Sequence, residues 1–192
     1  MATQPGTYLS PEEYLELERK AETKSEYFRG EMFAMAGASR RHGLIVTNLV
    51  REISQRTRNR ACTVYSGDLR LCVAAAGLYT YPDVVAVCGE EKYADNEFDT
   101  LLNPTVIIEV LSDSTRDYDR GQKFEHYRTI PSLKEYLTVA QDRAHIEHYV
   151  RQPDDRWLLT EYRGCTATLT VESLSIELPL SDIYEKVDLA LT

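Results

Sequence analysis

Two acidic residues lie in stretches of the sequence that are otherwise apolar. Asp83 begins the run Asp83-Val84-Val85-Ala86-Val87, and Glu109 lies inside the run 106–111. Nearly continuous β-branched runs are typical of central strands that are covered on both faces. A carboxylate buried there without a partner is strongly destabilising unless it binds a proton. We therefore expect the two carboxylates to lie within about 5 Å of each other and to share a cation, since oxygen-ligated divalent metals are held this way. The alternative is a buried ion pair with an Arg or Lys.

The helix that follows Glu109 is predicted to bring a lysine to this site. It should run from about residue 114 to 129, beginning at Ser114-Thr115-Arg116-Asp117, which is similar to a capping box, and ending before Pro131. Lys123 on this helix is predicted to point toward the two acids. The alternative is an i,i+4 ion pair with Asp119, which is worth a few tenths of a kcal/mol. Gly121 in mid-helix costs stability relative to Ala, and close packing near the site would explain it.

The elements that must hold these residues follow from caps and from hydrophobic periodicity. One helix is predicted from Ser10 to about Ala21 and a second from about Arg41 to Arg58. Glu90 to Pro104 is polar and acidic and is predicted to be a loop or mobile turn. Strands are predicted over 25–28, 31–34, 63–65, 68–73, 83–87, 106–111, 135–139, 144–150, 157–162, 167–171 and 175–178. This order indicates an α+β fold, with a mixed central sheet flanked by helices, one crossover helix and an antiparallel C-terminal meander.

Length and charge limit the functions that the chain can perform. Its 192 residues fit a loose N-terminal segment over 1–9 and one domain over 10–192. The net charge of −9 argues against a broad nucleic-acid surface but permits a local basic groove. Arg116, Arg120 and Lys123 can share one helix face, and Arg41 begins the second helix. Solvated surface charge is the alternative explanation for these residues.

Several other classes of site and location are not favoured. The four cysteines show no C-x-x-C spacing, so buried free thiols are expected and a structural zinc site is not. No apolar run reaches the roughly 20 residues of a membrane span, and no signal-like segment is present. A cytoplasmic protein without a membrane partner is the simplest expectation. His145 and His148 would point to opposite faces of a strand, which argues against a metal pair.

Pro82-Asp83, followed by Glu109 on another strand, is similar to the signature of the PD-(D/E)xK nucleases. The chain more closely resembles the Uma-two-type group of restriction-endonuclease-like proteins, over roughly residues 10 to 185. The matching pieces are Ser10–Tyr14, Tyr81–Val85, Ile108–Ser112, Ser114–Lys123 and Tyr127–Tyr136. The general pattern has a lysine two residues after the second acid, where this chain has Leu111. The resemblance implies that Lys123 takes the role of that lysine. The 26-residue separation of the acids is long for the superfamily, and the 90–104 insertion accounts for it.

The resemblance implies a restriction-endonuclease-like fold and a metal-dependent endonuclease that cuts DNA. Asp83, Glu109 and the Val110 carbonyl would bind Mg²⁺ or Mn²⁺. Lys123 would assist the attacking water. Glu26 and Asp68 are two further acids that could lie near the site, and His42 could contact phosphate or shuttle a proton. Arg116, Arg120 and Arg41 are the candidate nucleic-acid contacts in the expected basic groove.

A second hypothesis belongs to another functional class. Because a fold does not determine an activity, the chain could be a nuclease-fold protein with little turnover that acts as a nucleic-acid-binding or assembly module. RNA could replace DNA as the substrate. A two-fold homodimer is also expected, because two sites suit the two strands of a duplex. The N-terminal segment and the strand-rich tail are the candidate interface.

Overall fold

The computed structural model describes residues 8–112 and 116–189, which form thirteen strands and five helices. The helices are α1 (Pro11–Glu18), α2 (Arg40–Thr57), α3 (Arg116–Tyr118), α4 (Phe124–Tyr127) and α5 (Leu180–Ile183). The strands are β1 (Ser25–Phe28), β2 (Glu31–Ala34), β3 (Cys62–Ser66), β4 (Arg70–Val73), β5 (Leu78–Thr80), β6 (Val84–Cys88), β7 (Thr100–Leu101), β8 (Val106–Leu111), β9 (Glu135–Ala140), β10 (His145–Arg151), β11 (Trp157–Arg163), β12 (Thr168–Val171) and β13 (Ile176–Pro179).

These strands form a six-stranded central sheet, a five-stranded second sheet and a separate pair. The central sheet has the order β11-β10-β9-β8-β6-β3, and the second has the order β2-β1-β5-β4-β7. Among the described strands of the central sheet, only β8 and β9 are parallel. Residues 116–127, which we call the crossover helix, lie between them in the chain. The strands β9, β10 and β11 form an antiparallel meander. The predicted α+β class, with its mixed central sheet and antiparallel C-terminal part, is confirmed.

Both faces of the central sheet are covered, which explains the continuous apolar runs of β6 and β8. On one face α2 packs Ile45, Leu49 and Ile53 against the sheet, together with the β12–β13 pair and α5. On the other face the crossover helix contributes Tyr127 and the second sheet contributes Leu71. Side chains alternate between the two faces along each strand, so each strand has to be apolar on both sides. Among the described residues, no helix has both the length and the apolar character of a membrane span.

The crossover helix is interrupted by a π-helical turn, Asp119–Lys123, between α3 and α4. Tyr136 donates its hydroxyl to the Asp119 carbonyl at 2.9 Å, which satisfies a backbone group at this irregular turn. Gly121 lies in the turn, and a Cβ at this position would meet no atom within 4 Å. The expectation that close packing explains Gly121 is therefore wrong. The predicted helix start at Ser114 lies outside the described residues.

The 90–104 insertion is more ordered than the predicted loop. It contains β7, which extends the second sheet by pairing with β4. Asp99 accepts hydrogen bonds from Arg19 at 2.8 Å and from Arg70 at 2.9 Å, so the insertion is fixed to α1 and to β4. The short elements β5 and α5 were also not predicted, because three or four residues carry too little periodicity. Residues 1–7 of the predicted N-terminal segment lie outside the described residues, and the predicted domain boundary stays a prediction.

A disulfide joins Cys62 to Cys88, so the expectation of free thiols is wrong for these two residues. Antiparallel pairing of β3 with β6 places Cys62 directly opposite Cys88, and this contact depends on strand register, which the cysteine spacing does not show. Cys72 and Cys165 are free, the first buried and the second exposed. Disulfides persist mainly in oxidising compartments. The cytoplasmic location stays a prediction.

A buried pair, Glu135 and His148, attaches the β12–β13 pair to the central sheet. His148 Nε2 lies 2.5 Å from Glu135 Oε2, and Glu135 Oε1 accepts a hydrogen bond from the Ser173 backbone between β12 and β13. Burial alone would raise the pKa of Glu135, but the hydrogen bonds from His148 and Ser173 outweigh it and hold the pKa below its usual value. The ionised carboxylate therefore stabilises the fold.

We predict that Glu135→Ala lowers the free energy of unfolding by about 3 kcal/mol at pH 7, because it leaves the buried His148 without its partner. A depressed folded-state pKa gives stability that is present above the unfolded value of 4.5 and is lost as pH falls below it. The difference between wild type and variant should therefore shrink below that pH in urea denaturation. Glu177→Ala, at an exposed position on β13, is the control and should change stability by less than about 0.5 kcal/mol. Equal loss in both variants would contradict this role of Glu135.

Candidate metal and nucleic-acid site

Asp83 and Glu109 meet where β6 begins. Val84 pairs with Ile108, so Asp83, one residue earlier, stands opposite Glu109 on β8. The Asp83 backbone N–H donates to Glu109 Oε2 at 3.3 Å, and the Val110 N–H donates to Asp83 Oδ2 at 2.7 Å. The structure thus brings the two predicted acids together. Asp83 is half-buried and Glu109 is only 3 % exposed, so Asp83 faces the entrance of the site and Glu109 its interior.

Two side chains of the crossover helix stabilise the buried carboxylate of Glu109. Lys123 Nζ lies 3.1 Å from Glu109 Oε1, and Tyr127 donates its hydroxyl to the same oxygen at 2.7 Å. Burial raises the pKa of Glu109 to about 8, since it outweighs the opposing effect of Lys123, and the charges of Asp83 and Asp119 raise it further. Glu109 therefore binds a proton readily near neutral pH.

Lys123 lies among three carboxylates. Besides Glu109, its Nζ is 3.2 Å from Glu26 Oε1 and 3.6 Å from Asp119 Oδ1. Both arrangements considered from the sequence are thus present together, the contact with the site and the i,i+4 pair. Burial alone would lower the pKa of Lys123, but the three acids raise it well above its usual value. The lysine is a permanent, almost fully buried positive charge.

Glu26 comes from the second sheet, so the site lies between two sheets and a helix. It is on β1, and Thr80 on β5 donates a hydrogen bond to Glu26 Oε1. The predicted strands 25–28 and 31–34 are present as β1 and β2, which pair as an antiparallel hairpin. Asp68, another acid considered from the sequence, instead pairs with Lys24 at 2.7 Å on the surface. Its side chain is 86 % exposed, and it takes no part in the cluster.

His42 reaches the site from the first turn of α2. Ser39 caps this helix by accepting a hydrogen bond from the His42 N–H at 3.1 Å. His42 Nε2 lies 3.1 Å from Asp83 Oδ2. Burial alone would lower the pKa of His42, but the hydrogen bond to Asp83 and the charges of Asp83 and Asp119 raise it. A protonated imidazole is therefore favoured beside Asp83.

Within the described part of the chain, the cluster contains more acids than bases. Four carboxylates (Glu26, Asp83, Glu109 and Asp119) surround one lysine and one histidine. Even with His42 protonated, four ionised acids would leave an excess of two negative charges in a mostly buried space. Such an excess is costly, and a divalent cation or bound protons would remove it.

The predicted basic face is only partly present. Lys123 is buried and belongs to the interior. Arg120 pairs with Glu147 at 2.8 Å, and Arg116 lies 3.7 Å from Asp142. The positive charges predicted for this helix face are thus offset by acids of the central sheet. Arg41, in the first turn of α2, lines an open cleft of about 430 Å³ together with Ser39, Arg40, Gln141, Asp142 and Asp188.

Tyr127 and Thr80 are the contacts that sequence reasoning missed. Tyr127 follows Lys123 by four residues, so helical spacing could have indicated that both face Glu109. Thr80 lies on a three-residue strand and its contact with Glu26 depends on the pairing of the second sheet. No local pattern in the sequence reveals that contact.

Comparison with known proteins gives consistent matches over most of the chain. The family described as "Uma2: Putative restriction endonuclease" matches residues 11–181. The uncharacterised protein sll1609 of Synechocystis sp. (strain ATCC 27184 / PCC 6803 / Kazusa) is 40 % identical over 168 residues, which are 88 % of this chain and 95 % of that protein. Protein slr1290 of the same organism, also uncharacterised, is 34 % identical over 180 residues, 94 % of this chain and 93 % of that protein.

A solved structure has the same fold. The crystal structure described as "a putative nuclease belonging to DUF820 from Anabaena variabilis ATCC 29413" superposes with a TM-score of 0.74. The match covers 90 % of this chain and 96 % of the other, at 18 % sequence identity. At this identity the likeness shows the fold alone.

We predict that Lys123→Met destabilises the protein by about 3 kcal/mol, because the buried carboxylates lose their shared cation. The pKa of Glu109 should also rise above its value of about 8, since Lys123 lowers it. Urea denaturation and an NMR titration of the Glu109 carboxyl carbon measure the two effects. Lys134→Met, on an exposed lysine, is the matched control and should leave both nearly unchanged. An unchanged Glu109 pKa in Lys123→Met would show that the pair is not electrostatically coupled.

Proposed function

This chain belongs to the Uma2 family, and on that premise we propose that it is a metal-dependent endonuclease that hydrolyses phosphodiester bonds in DNA. The observation that carries the proposal is the meeting of Asp83 and Glu109 from neighbouring strands, within a cluster whose acids outnumber its bases. Such an excess of buried carboxylates lowers the stability of a protein that only binds nucleic acid. It suits a centre that holds a divalent cation, which offsets the negative charge.

The donor atoms fit Mg²⁺ or Mn²⁺. Asp83 Oδ2 accepts from His42 and Val110, which leaves Asp83 Oδ1 without a hydrogen bond from the described residues. Glu109 Oε2 accepts only the 3.3 Å bond from the Asp83 N–H, again within the described part of the chain. The N–H and C=O of one strand residue point to the same side, so the Val110 carbonyl is directed to the side where its N–H meets Asp83. These three oxygens form a hard donor set of the type that these cations prefer.

A cation bound by these oxygens would supply polarisation of the phosphodiester and a more acidic bound water. Glu109 must be ionised to take part. Because burial holds its pKa near 8, binding of the cation displaces a proton from Glu109 near neutral pH and tightens as pH rises.

Lys123 supplies fixed positive charge at the interior of the site. Leu111, in the position where the general nuclease pattern has lysine, is on the same face of β8 as Glu109 because the two are two residues apart. Lys123 enters that face from the crossover helix. In the proposed reaction its ammonium orients the attacking water and stabilises charge that develops on the phosphate. Glu26 and Asp119 hold the ammonium in place.

His42 and Arg41 are the proposed contacts with the nucleic-acid backbone. Both lie in the first turn of the 18-residue helix α2, which contains no acid there. The N-terminus of a helix favours phosphate through its free N–H groups and its dipole. His42, with its raised pKa, can donate a proton to a phosphate oxygen beside Asp83. Arg116 and Arg120 would contact phosphate by releasing Asp142 and Glu147, the acids with which they now pair.

Cleavage of supercoiled plasmid DNA in Mn²⁺ tests the proposal. Asp83→Asn and Glu109→Gln should each lower the rate at least about a hundredfold, because a metal centre contributes several kcal/mol to such a reaction. Asp68→Asn is the matched control, since Asp68 is an exposed acid outside the cluster. DNA binding measured in parallel should persist in Asp83→Asn and weaken in Arg41→Glu.

The same experiment separates the two functional classes. DNA binding without Mn²⁺-dependent cleavage by the wild type would favour a nuclease-fold binding module over an enzyme. Cleavage that survives in both Asp83→Asn and Glu109→Gln would contradict this metal site. A single-stranded RNA substrate assayed under the same conditions decides between DNA and RNA.

We further propose a two-fold homodimer formed through β11. This strand is at the edge of the central sheet, so one row of its backbone groups pairs with none of the described strands. Leu158 and Leu159 on it are 56 % and 46 % exposed. Light scattering at micromolar concentration should give twice the mass of the chain, and Leu158→Lys should give the single mass. Leu17→Lys, at an exposed leucine on α1, is the control and should remain dimeric. The mass of one chain for the wild type would rule the dimer out.

A further inference from the structure

Three potential metal ligands converge at the edge of the central sheet, away from the cluster around Glu109. His145 and Glu147 are two residues apart on β10, so they share one face of the sheet. Glu147 pairs in register with Glu161 on β11. One ligand atom from each of the three side chains lies within 4.8 Å of the other two. The strand register, which spacing within one segment cannot show, creates this group.

His145 is the unusual member of the group. It is 5 % exposed, and its buried Nε2 makes no hydrogen bond with any described residue. This nitrogen lies 3.3 Å from Glu161 Oε1, which is an ion-pair distance but lacks the alignment of a hydrogen bond. A buried polar atom without a hydrogen bond costs about 1–3 kcal/mol, so such atoms usually have a ligand, an ion or a water.

The two glutamates retain room for a cation. Arg120 donates to Glu147 Oε2 at 2.9 Å and forms an ion pair with Oε1 at 2.8 Å, and Thr138 donates to Oε2 at 2.9 Å. A carboxylate has about four lone-pair sites, so Oε1 can accept a cation while Arg120 stays bound. Arg163 contacts Glu161 Oε2 at 2.7 Å. That exposed pair leaves Oε1 beside His145.

We propose that His145 Nε2, Glu147 Oε1 and Glu161 Oε1 form a binding site for a divalent transition metal, with Zn²⁺ as the best-suited ion. Zinc takes imidazole nitrogen and carboxylate oxygen, commonly with three protein ligands and a water. Magnesium prefers oxygen alone, so the imidazole selects against it. Glu161 is partly exposed and gives the ion access from solvent. Arg120 and Arg163 offset part of the acidic charge, so binding should be weaker than in a closed structural zinc site.

This site is separate from the proposed nuclease centre. Register pairs join Glu109 to Thr138, Thr138 to Glu147, and Glu147 to Glu161, so the four residues form a row across the sheet. Neighbouring strands lie about 4.8 Å apart. Glu147 is therefore roughly 10 Å from Glu109, while the ions of a two-metal centre are only about 3.5–4 Å apart. A metal at the sheet edge would connect β10 to β11.

Zinc titration in an Asp83→Asn background tests the site without the nuclease centre. Isothermal titration calorimetry should show one Zn²⁺ site, and His145→Gln and Glu161→Gln should each weaken it at least tenfold. His126→Gln is the control, because it removes a histidine of the crossover helix outside the group. NMR of the imidazole nitrogens should show a Zn²⁺-dependent change for His145 and none for His126. Glu161→Gln changes an exposed side chain and should fold normally, so it decides the test even if His145→Gln does not fold.

The proposal is overturned if Zn²⁺ binds equally well to Asp83→Asn and to both of its variants at this site. It is also overturned if binding is lost in Asp83→Asn itself, because the metal would then belong to the nuclease centre. Neither result depends on DNA cleavage. Failure of the nuclease proposal and failure of this one are therefore distinguishable.

Discussion

The buried carboxylate of Glu109 is the group on which the arrangement of the molecule depends. Removing a carboxylate from water costs several kcal/mol even after the protein relaxes. The chain offsets this with Lys123 and Tyr127, both on the crossover helix. Because both residues contact the same carboxylate oxygen, they help to fix the position of the helix on the sheet. Glu26 from the second sheet then meets the same lysine, so one charged cluster aligns three elements.

The described cations of this cluster do not balance the charge of its carboxylates, and this imbalance bears on what the cluster can bind. One lysine contacts three carboxylates, and among the described residues the charge of a fourth, Asp83, is balanced by His42. A protein selected only for stability or for binding phosphate gains nothing from excess buried negative charge, which would repel a nucleic acid. A cation centre does gain from it. Burial and the neighbouring acids raise the pKa of Glu109 to about 8, which reflects the cost of ionising it in this cluster.

The residues that the sequence revealed are those whose signal is local. Asp83 and Glu109 stood out because they interrupt apolar runs, and the predicted bounds of β8, 106–111, match the structure. The cap at Ser10 predicted α1, and the helical spacing of apolar residues predicted α2, each within a few residues of its observed ends. The contact between Glu26 and Lys123 and the Cys62–Cys88 bond depend instead on which strands become neighbours. Strand register and the docking of distant elements depend on packing throughout the core. A short stretch of sequence therefore cannot predict them.

The group at the sheet edge illustrates the same limit. The sequence correctly separated His145 from His148, which the structure places against Glu161 and Glu135 respectively. It could not show that Glu161 would complete a set with His145, because that requires the pairing of β10 with β11.

The row from Glu109 to Glu161 connects the two groups physically. The π-helical turn contributes two cations to this row, Lys123 to Glu109 and Arg120 to Glu147. Thr138 lies between them and donates to Glu147. Because the two cations are three residues apart on one short turn, neither can move far without shifting the other. The irregular turn, which Tyr136 anchors through the Asp119 carbonyl, therefore carries the cations that contact both groups.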